Sequence, residues 1–137
     1  MITENQVVAS VAAYLEDRGY KIEQSLSTTE RGVDIVAKTL GGKRCYIEAK
    51  GGTSSKKHTK KYGKPFSKGQ AATHISVAIL KAFQLSNKYQ GEGTEVGIAL
   101  PNDKNHLGLV RSIERSLKMT GLQVYLVDEK LRTEKVL

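Results

Sequence analysis

Tryptophan is absent from this chain of 137 residues, cysteine occurs once, proline twice, and the aromatic share is only 6%. Each scarcity excludes something. A single thiol, Cys45, cannot close an internal disulfide, and no Cys/His cluster has zinc-ligand spacing. No apolar run approaches the roughly 18 residues that a membrane-spanning helix needs, so no membrane association is expected. The first residues, Met-Ile-Thr-Glu-Asn-Gln, carry no basic stretch followed by an apolar block and do not read as a signal peptide. A reducing, cytoplasmic setting is the expectation. With six Tyr, two Phe and no Trp, the chain also lacks the aromatic-rich sheet motif of common RNA modules. An RNA-binding basic domain is therefore the weakest of the functions weighed.

Acidic residues are scarce too, with 14 Asp plus Glu against 22 Lys plus Arg, a formal charge of +8. Such a balance favours polyanionic partners through counterion release and electrostatic steering, although a merely soluble basic protein would share it. The hydrophobic fraction of 39% is ordinary for a globular protein. The length suits one domain spanning 1–137 with a single core.

Apolar residues at Val7, Val8, Val11, Ala12 and Leu15 form a helical stripe between Thr3, the candidate N-cap, and Gly19, a helix stop. A strand is expected at 20–24 and a polar loop at 25–31. Two β-rich runs, 33–39 and 43–50, flank Leu40-Gly41-Gly42 and predict a hairpin. A lysine-rich loop is expected between Gly51 and Gly69, overlapping the start of a long helix from about Ser67 to Tyr89. Then come an apolar strand at 96–100, a helix over 103–120, a strand at 122–127 and a charged, frayed tail from Asp128 onward. The order α-β-β-β-α-β-α-β implies a mixed sheet with helices on both faces.

Chemistry enters with Asp34, Glu48 and Lys50. On the second hairpin strand, Tyr46, Glu48 and Lys50 share one face and Cys45, Ile47 and Ala49 the other. Glu48 and Lys50 then stand about 6.6 Å apart along the strand. A carboxylate and an ammonium in an apolar central strand are costly unless paired or ligated. The hairpin register decides whether Asp34 joins them. A two-residue turn at Gly41-Gly42 would set Asp34 opposite Ala49, facing away from Glu48. A three-residue loop with Gly42 left-handed pairs 39 with 43 and sets Asp34 across from Glu48, and this register, or a bulge of the same effect, is predicted. Two converging carboxylates beside a lysine are what metal-assisted phosphodiester hydrolysis requires. Oxygen ligands suit Mg2+ (or Mn2+), and Lys50 can orient or deprotonate water or stabilise the phosphate. The bland alternative is an exposed ion pair on a solvated strand, worth about 0–1 kcal/mol.

Gly32-Val33-Asp34-Ile35-Val36-Ala37, a hairpin, then Tyr46-Ile47-Glu48-Ala49-Lys50 resembles the PD-(D/E)xK nuclease superfamily. The flavour is that of archaeal Holliday-junction resolvases and of type IV restriction endonuclease catalytic domains, over roughly residues 3–100. The resemblance implies a restriction-endonuclease-like α-β-β-β-α-β core, here with a C-terminal helix and strand added. It implies a Mg2+-dependent endodeoxyribonuclease in which Asp34, Glu48 and Lys50 are catalytic and Asp34, Glu48 and Ala49 bind metal. Gly32-Val33 departs from the proline of the family name. Such nucleases often place an acidic residue of the first helix over the site, here Glu4, and a glutamine near the start of the later helix, here Gln70. A first-turn glutamate serving the helix dipole and an exposed helix-start glutamine are the ordinary alternatives. His74 reads more simply as a packed or surface histidine.

Lys56, Lys57, His58, Lys60, Lys61, Lys64 and Lys68 crowd into 13 residues without one acid, beginning six residues after Lys50. Beside a metal site, such a segment is placed to grip phosphates of DNA, with a solvated linker as the alternative. An endonuclease and a non-catalytic DNA-binding module on a nuclease fold both remain open from sequence, as does a homodimer. The DNA structure that would be cut is not legible.

Overall fold

The computed structural model describes residues 1–26, 32–53 and 66–137. The first stripe folds as α1 (Glu4–Asp17), burying Val7, Val8, Val11, Ala12 and Leu15 as its periodicity requires. Thr3 caps it: its hydroxyl accepts the Gln6 N–H at 3.3 Å, and the Gln6 side-chain oxygen accepts the Thr3 N–H at 2.9 Å. This reciprocal box satisfies two donors that the first turn would otherwise leave bare.

After α1 come β1 (Lys21–Ser25), β2 (Ile35–Lys38) and β3 (Arg44–Ala49), an antiparallel meander. The β2–β3 register pairs Ile35 with Ile47, Val36 with Tyr46 and Lys38 with Arg44. Thr39 N–H reaches the Lys43 carbonyl at 2.7 Å, and Gly42 holds φ +79° at the end of the loop. The hairpin therefore has the three-residue register, and its ladder points Asp34 at Glu48.

The chain then crosses over through α2 (Lys68–Lys88) to β4 (Glu95–Pro101), which lies parallel to β3. A second crossover through α3 (Lys104–Ser112) and α4 (Glu114–Thr120) leads to β5 (Gln123–Val127), parallel to β4. Finally β6 (Thr133–Lys135) runs antiparallel to β5. The described residues form one six-stranded mixed sheet in the order β1-β2-β3-β4-β5-β6. β4 is buried along almost its whole length, as befits a parallel strand covered on both faces. Against one face, α1 packs Val7, Val11 and Leu15 onto Ile35, Cys45, Ile47 and Tyr125. Against the other, α2 to α4 pack Ile75, Ala78, Val110 and Leu117 onto Tyr46, Ile98, Leu100 and Val124. No helix among the described residues is long and apolar enough to cross a membrane.

Two expectations are corrected. The helix expected over 103–120 is broken at Ile113, which leaves the helical region (φ −124°, ψ 13°) and packs its β-branched side chain against the α2-side core. The tail expected to fray instead returns as β6. Asp128 makes the turn: its carboxylate accepts the N–H groups of Lys130 and Arg132 and pairs with the Arg132 guanidinium at 2.8 Å. Charges read as solvated thus close a loop. Ser10 of α1 fastens it by donating to the Leu131 carbonyl at 2.7 Å.

Candidate active site

The site gathers at the C-terminal end of β3. Asp34 sits one residue before β2. Its backbone carbonyl accepts the Leu26 N–H at 2.9 Å, and its carboxylate accepts the Ala49 N–H at 2.8 Å. That second bond crosses from one hairpin strand to the other and fixes the carboxylate beside the Glu48-Ala49 peptide. Glu48, only 6% exposed, stands on the α2 side of β3. Burial, the Asp34 charge and a hydrogen bond between the two acids push its carboxyl up to about 7, against the pull of Lys81 and Lys50. Two acids this close cannot both ionise freely in a sheltered place.

Lys50 follows, half-buried, its N–H held by the Ala99 carbonyl at 2.9 Å. Glu4 approaches from the first turn of α1. Burial raises its pKa and the Asp34 charge raises it further, while Lys50 and Lys81 draw it down. Asp34, Glu48, Lys50 and Glu4 therefore share one electrostatic neighbourhood. Gln70 is held elsewhere: its side-chain oxygen accepts the Ser67 N–H at 2.9 Å and closes the capping box of α2. His74 packs edge-on against Phe66 with ring centroids 4.5 Å apart. Lys68 is the exposed first residue of α2. Lys56, Lys57, His58, Lys60, Lys61 and Lys64 lie outside the described residues. The flanks of that segment meet, since Phe66 N–H donates to the Gly52 carbonyl at 3.0 Å, two residues beyond Lys50.

Two residues that matter here escaped the sequence reading. Lys81, on the exposed side of α2, acts on both Glu48 and Glu4. Its role depends on how α2 crosses the sheet, which no local pattern reveals. Gly51 is the other. A Cβ there would collide with the Glu4 backbone nitrogen and stand 2.9 Å from the Thr3 carbonyl carbon. Only a residue without a side chain lets the end of β3 press against the start of α1 and so bring Glu4 to the acids.

The donor chemistry fits a hard divalent cation. Asp34 and Glu48 offer oxygens only, and Ala49 can add nothing but a backbone oxygen. Among the described residues no group of three or more His, Cys, Asp or Glu side chains forms a metal cage. Mg2+ and Mn2+ do not require one, since Mg2+ is usually held by one or two carboxylates with water and substrate phosphate.

Comparison with known proteins agrees with this layout. Residues 2–65 match the Mrr_cat family, described as restriction endonuclease, and the match spans Glu4, Asp34, Glu48 and Lys50. No curated protein matches the chain. Among solved structures, an XisH family protein from Nostoc punctiforme PCC 73102 superposes with a TM-score of 0.55 at 15% identity, covering 98% of each chain. A fdxN element excision controlling factor protein from Anabaena variabilis superposes with a TM-score of 0.53 at 14% identity, covering 97% of this chain and 99% of its own. At such identities the likeness is one of fold. Over residues 2–65 this chain thus carries a match to the restriction endonuclease domain of PD-(D/E)xK type, set within a restriction-endonuclease-like fold of six strands flanked by helices.

Proposed function

We infer that this chain is a Mg2+- or Mn2+-dependent DNA endonuclease that hydrolyses phosphodiester bonds, guided by DNA structure or by a partner. The observation that carries the reading is the pair Asp34 and Glu48, facing each other across the hairpin with Glu48 held near 7 and Lys50 beside them. An exposed ion pair on a solvated strand would not bury Glu48 to 6%. In this reading Asp34, Glu48 and the Ala49 backbone oxygen hold the cation. When bound, such an ion lowers the pKa of a coordinated water and offsets the charge of the scissile phosphate. Lys50 would orient the attacking water, or donate to a phosphate oxygen as charge builds there. Lys81 and the lysines from Lys56 to Lys68 hold the flanking phosphates. Cutting two strands is simplest with two sites related by a twofold axis, so a homodimer on DNA is part of the proposal.

A non-catalytic DNA-binding module is the second reading. It is favoured by the fold shared with a protein named as an excision controlling factor. Cleavage separates the two. With Mg2+ or Mn2+ and both plasmid and branched DNA as substrates, the wild type should cut, while Glu48→Ala and Lys50→Ala should each lose about a hundredfold or more. Cutting unaffected by both substitutions discards the catalytic assignment, and no cutting by the wild type favours the binding module.

A further inference from the structure

On the same face of the sheet as Glu48, toward the C-terminal end of α2, a cleft opens with a volume of about 530 Å3. Nothing in the chemistry proposed above uses it. Its near wall is Gly32 and Val33, the residues immediately before Asp34. Tyr46, two residues before Glu48 and on the same face of β3, lines it and pairs with Val36 across the hairpin. One pleat of the strand, about 7 Å, therefore separates it from the acids.

The lining has a distinct chemistry. Tyr46 and Tyr89 lie face to face, ring centroids 4.4 Å apart and planes 7° from parallel. The Lys88 ammonium stands 5.1 Å from the Tyr89 centroid. Arg44 lines the cleft as well, its guanidinium paired with Glu23 at 2.9 Å. Val36 and Leu85 supply apolar walls. Six tyrosines and two phenylalanines are all the aromatics this chain has, and two of the tyrosines, the half-buried Tyr89 and the buried Tyr46 behind it, are stacked at the wall of this cleft.

The geometry points to a subsite for an unpaired nucleobase of the DNA strand, stacked on Tyr89, which Tyr46 backs from the core, while Lys88 meets its phosphate. A flat aromatic ligand with an attached anion matches this combination of aromatic surface, apolar walls and positive charge, and stacking on tyrosine tolerates any base. A base still paired within a duplex has both faces covered and cannot enter; it must be unpaired already or extruded. The cleft thus narrows the substrate to DNA carrying an unpaired or easily displaced nucleotide next to the cut. This rests on the nuclease reading for its location, but the test does not depend on cleavage.

Binding is measured in Ca2+, without turnover, for two single strands of about 12 nucleotides. One is oligothymidine and the other has the same backbone with abasic positions throughout. The wild type is expected to bind the base-bearing strand about tenfold or more tightly. That ratio should fall toward one in Tyr89→Ala and persist in Tyr89→Phe, with folding of each variant checked by circular dichroism. Should Tyr89→Ala fail to fold, photocrosslinking of a 5-iodouridine strand to the wild type decides instead, with an adduct on Tyr89 expected. Equal affinity of the wild type for both strands, a ratio unchanged in Tyr89→Ala, or adducts confined to other regions would overturn the subsite. Mg2+-dependent cleavage is assayed separately. Base-dependent binding without cleavage sinks the nuclease reading and leaves the subsite standing, whereas cleavage without base dependence does the reverse.

Discussion

Glu48 is the residue on which the proposed chemistry turns, and its protonation yields the sharpest predictions. Its carboxyl rises from the ordinary 4.5 to about 7 in the folded chain. Between those values the folded state binds a proton that the unfolded state has released, so stability falls as pH climbs through the window. Glu48→Gln removes the ionising group. In metal-free buffer at pH 8 the variant should melt several degrees above the wild type, a gain of about 1–2 kcal/mol, and at pH 4 the difference should vanish. Differential scanning calorimetry at the two pH values checks both arms; an unchanged or lowered melting temperature at pH 8 contradicts the strained pair. Lys81 pulls the same carboxyl down. Lys81→Met should therefore move the acidic limb of the cleavage pH profile to higher pH, and a profile that does not move would remove Lys81 from the site.

At the scale of elements, the junction between β3 and α1 is the joint that matters. Gly51→Ala would force a methyl group into the backbone of Thr3 and Glu4 and should cost about 3 kcal/mol in urea unfolding, with loss of cleavage alongside. Gly108, within α3, has open space around it. Gly108→Ala should instead stabilise by about 0.5–1 kcal/mol. Much of this architecture was legible in the sequence. The length of the 40–42 loop and the left-handed Gly42 announced the hairpin register, and the stripe from Val7 to Leu15 announced α1. Elsewhere a local signal was present and outweighed: Ser67-x-x-Gln70 is a capping-box pattern, and the box is where the Gln70 side chain is held. The tail's charges suggest solvation, yet Asp128 uses its carboxylate to close a turn that local charge does not reveal. Lys81 was illegible in principle, since an exposed helical lysine says nothing about which acids the tertiary packing will set before it.

For the whole molecule, the +8 charge predicts DNA binding that weakens steeply with salt, each neutralised phosphate adding about −0.7 to −0.9 to the slope of log affinity against log salt. Replacing Lys56, Lys57, Lys60, Lys61 and Lys64 together by alanine should flatten that slope by several units and weaken binding about a hundredfold at moderate salt. An unaltered slope would show that the segment does not touch the backbone. The sheet and its two helical layers hold Asp34, Glu48 and Lys50 together at the C-terminal end of β3. Whether those acids hold a cation is best asked of the protein alone, by titrating Mn2+ calorimetrically at pH 8 into the wild type, Glu48→Ala and Asp34→Ala. The account predicts a saturable Mn2+ site in the wild type that is lost in both variants, and that weakens in the wild type as pH drops below about 7. Wild-type and variant proteins that bind Mn2+ equally well, or a wild type that binds none, would contradict it.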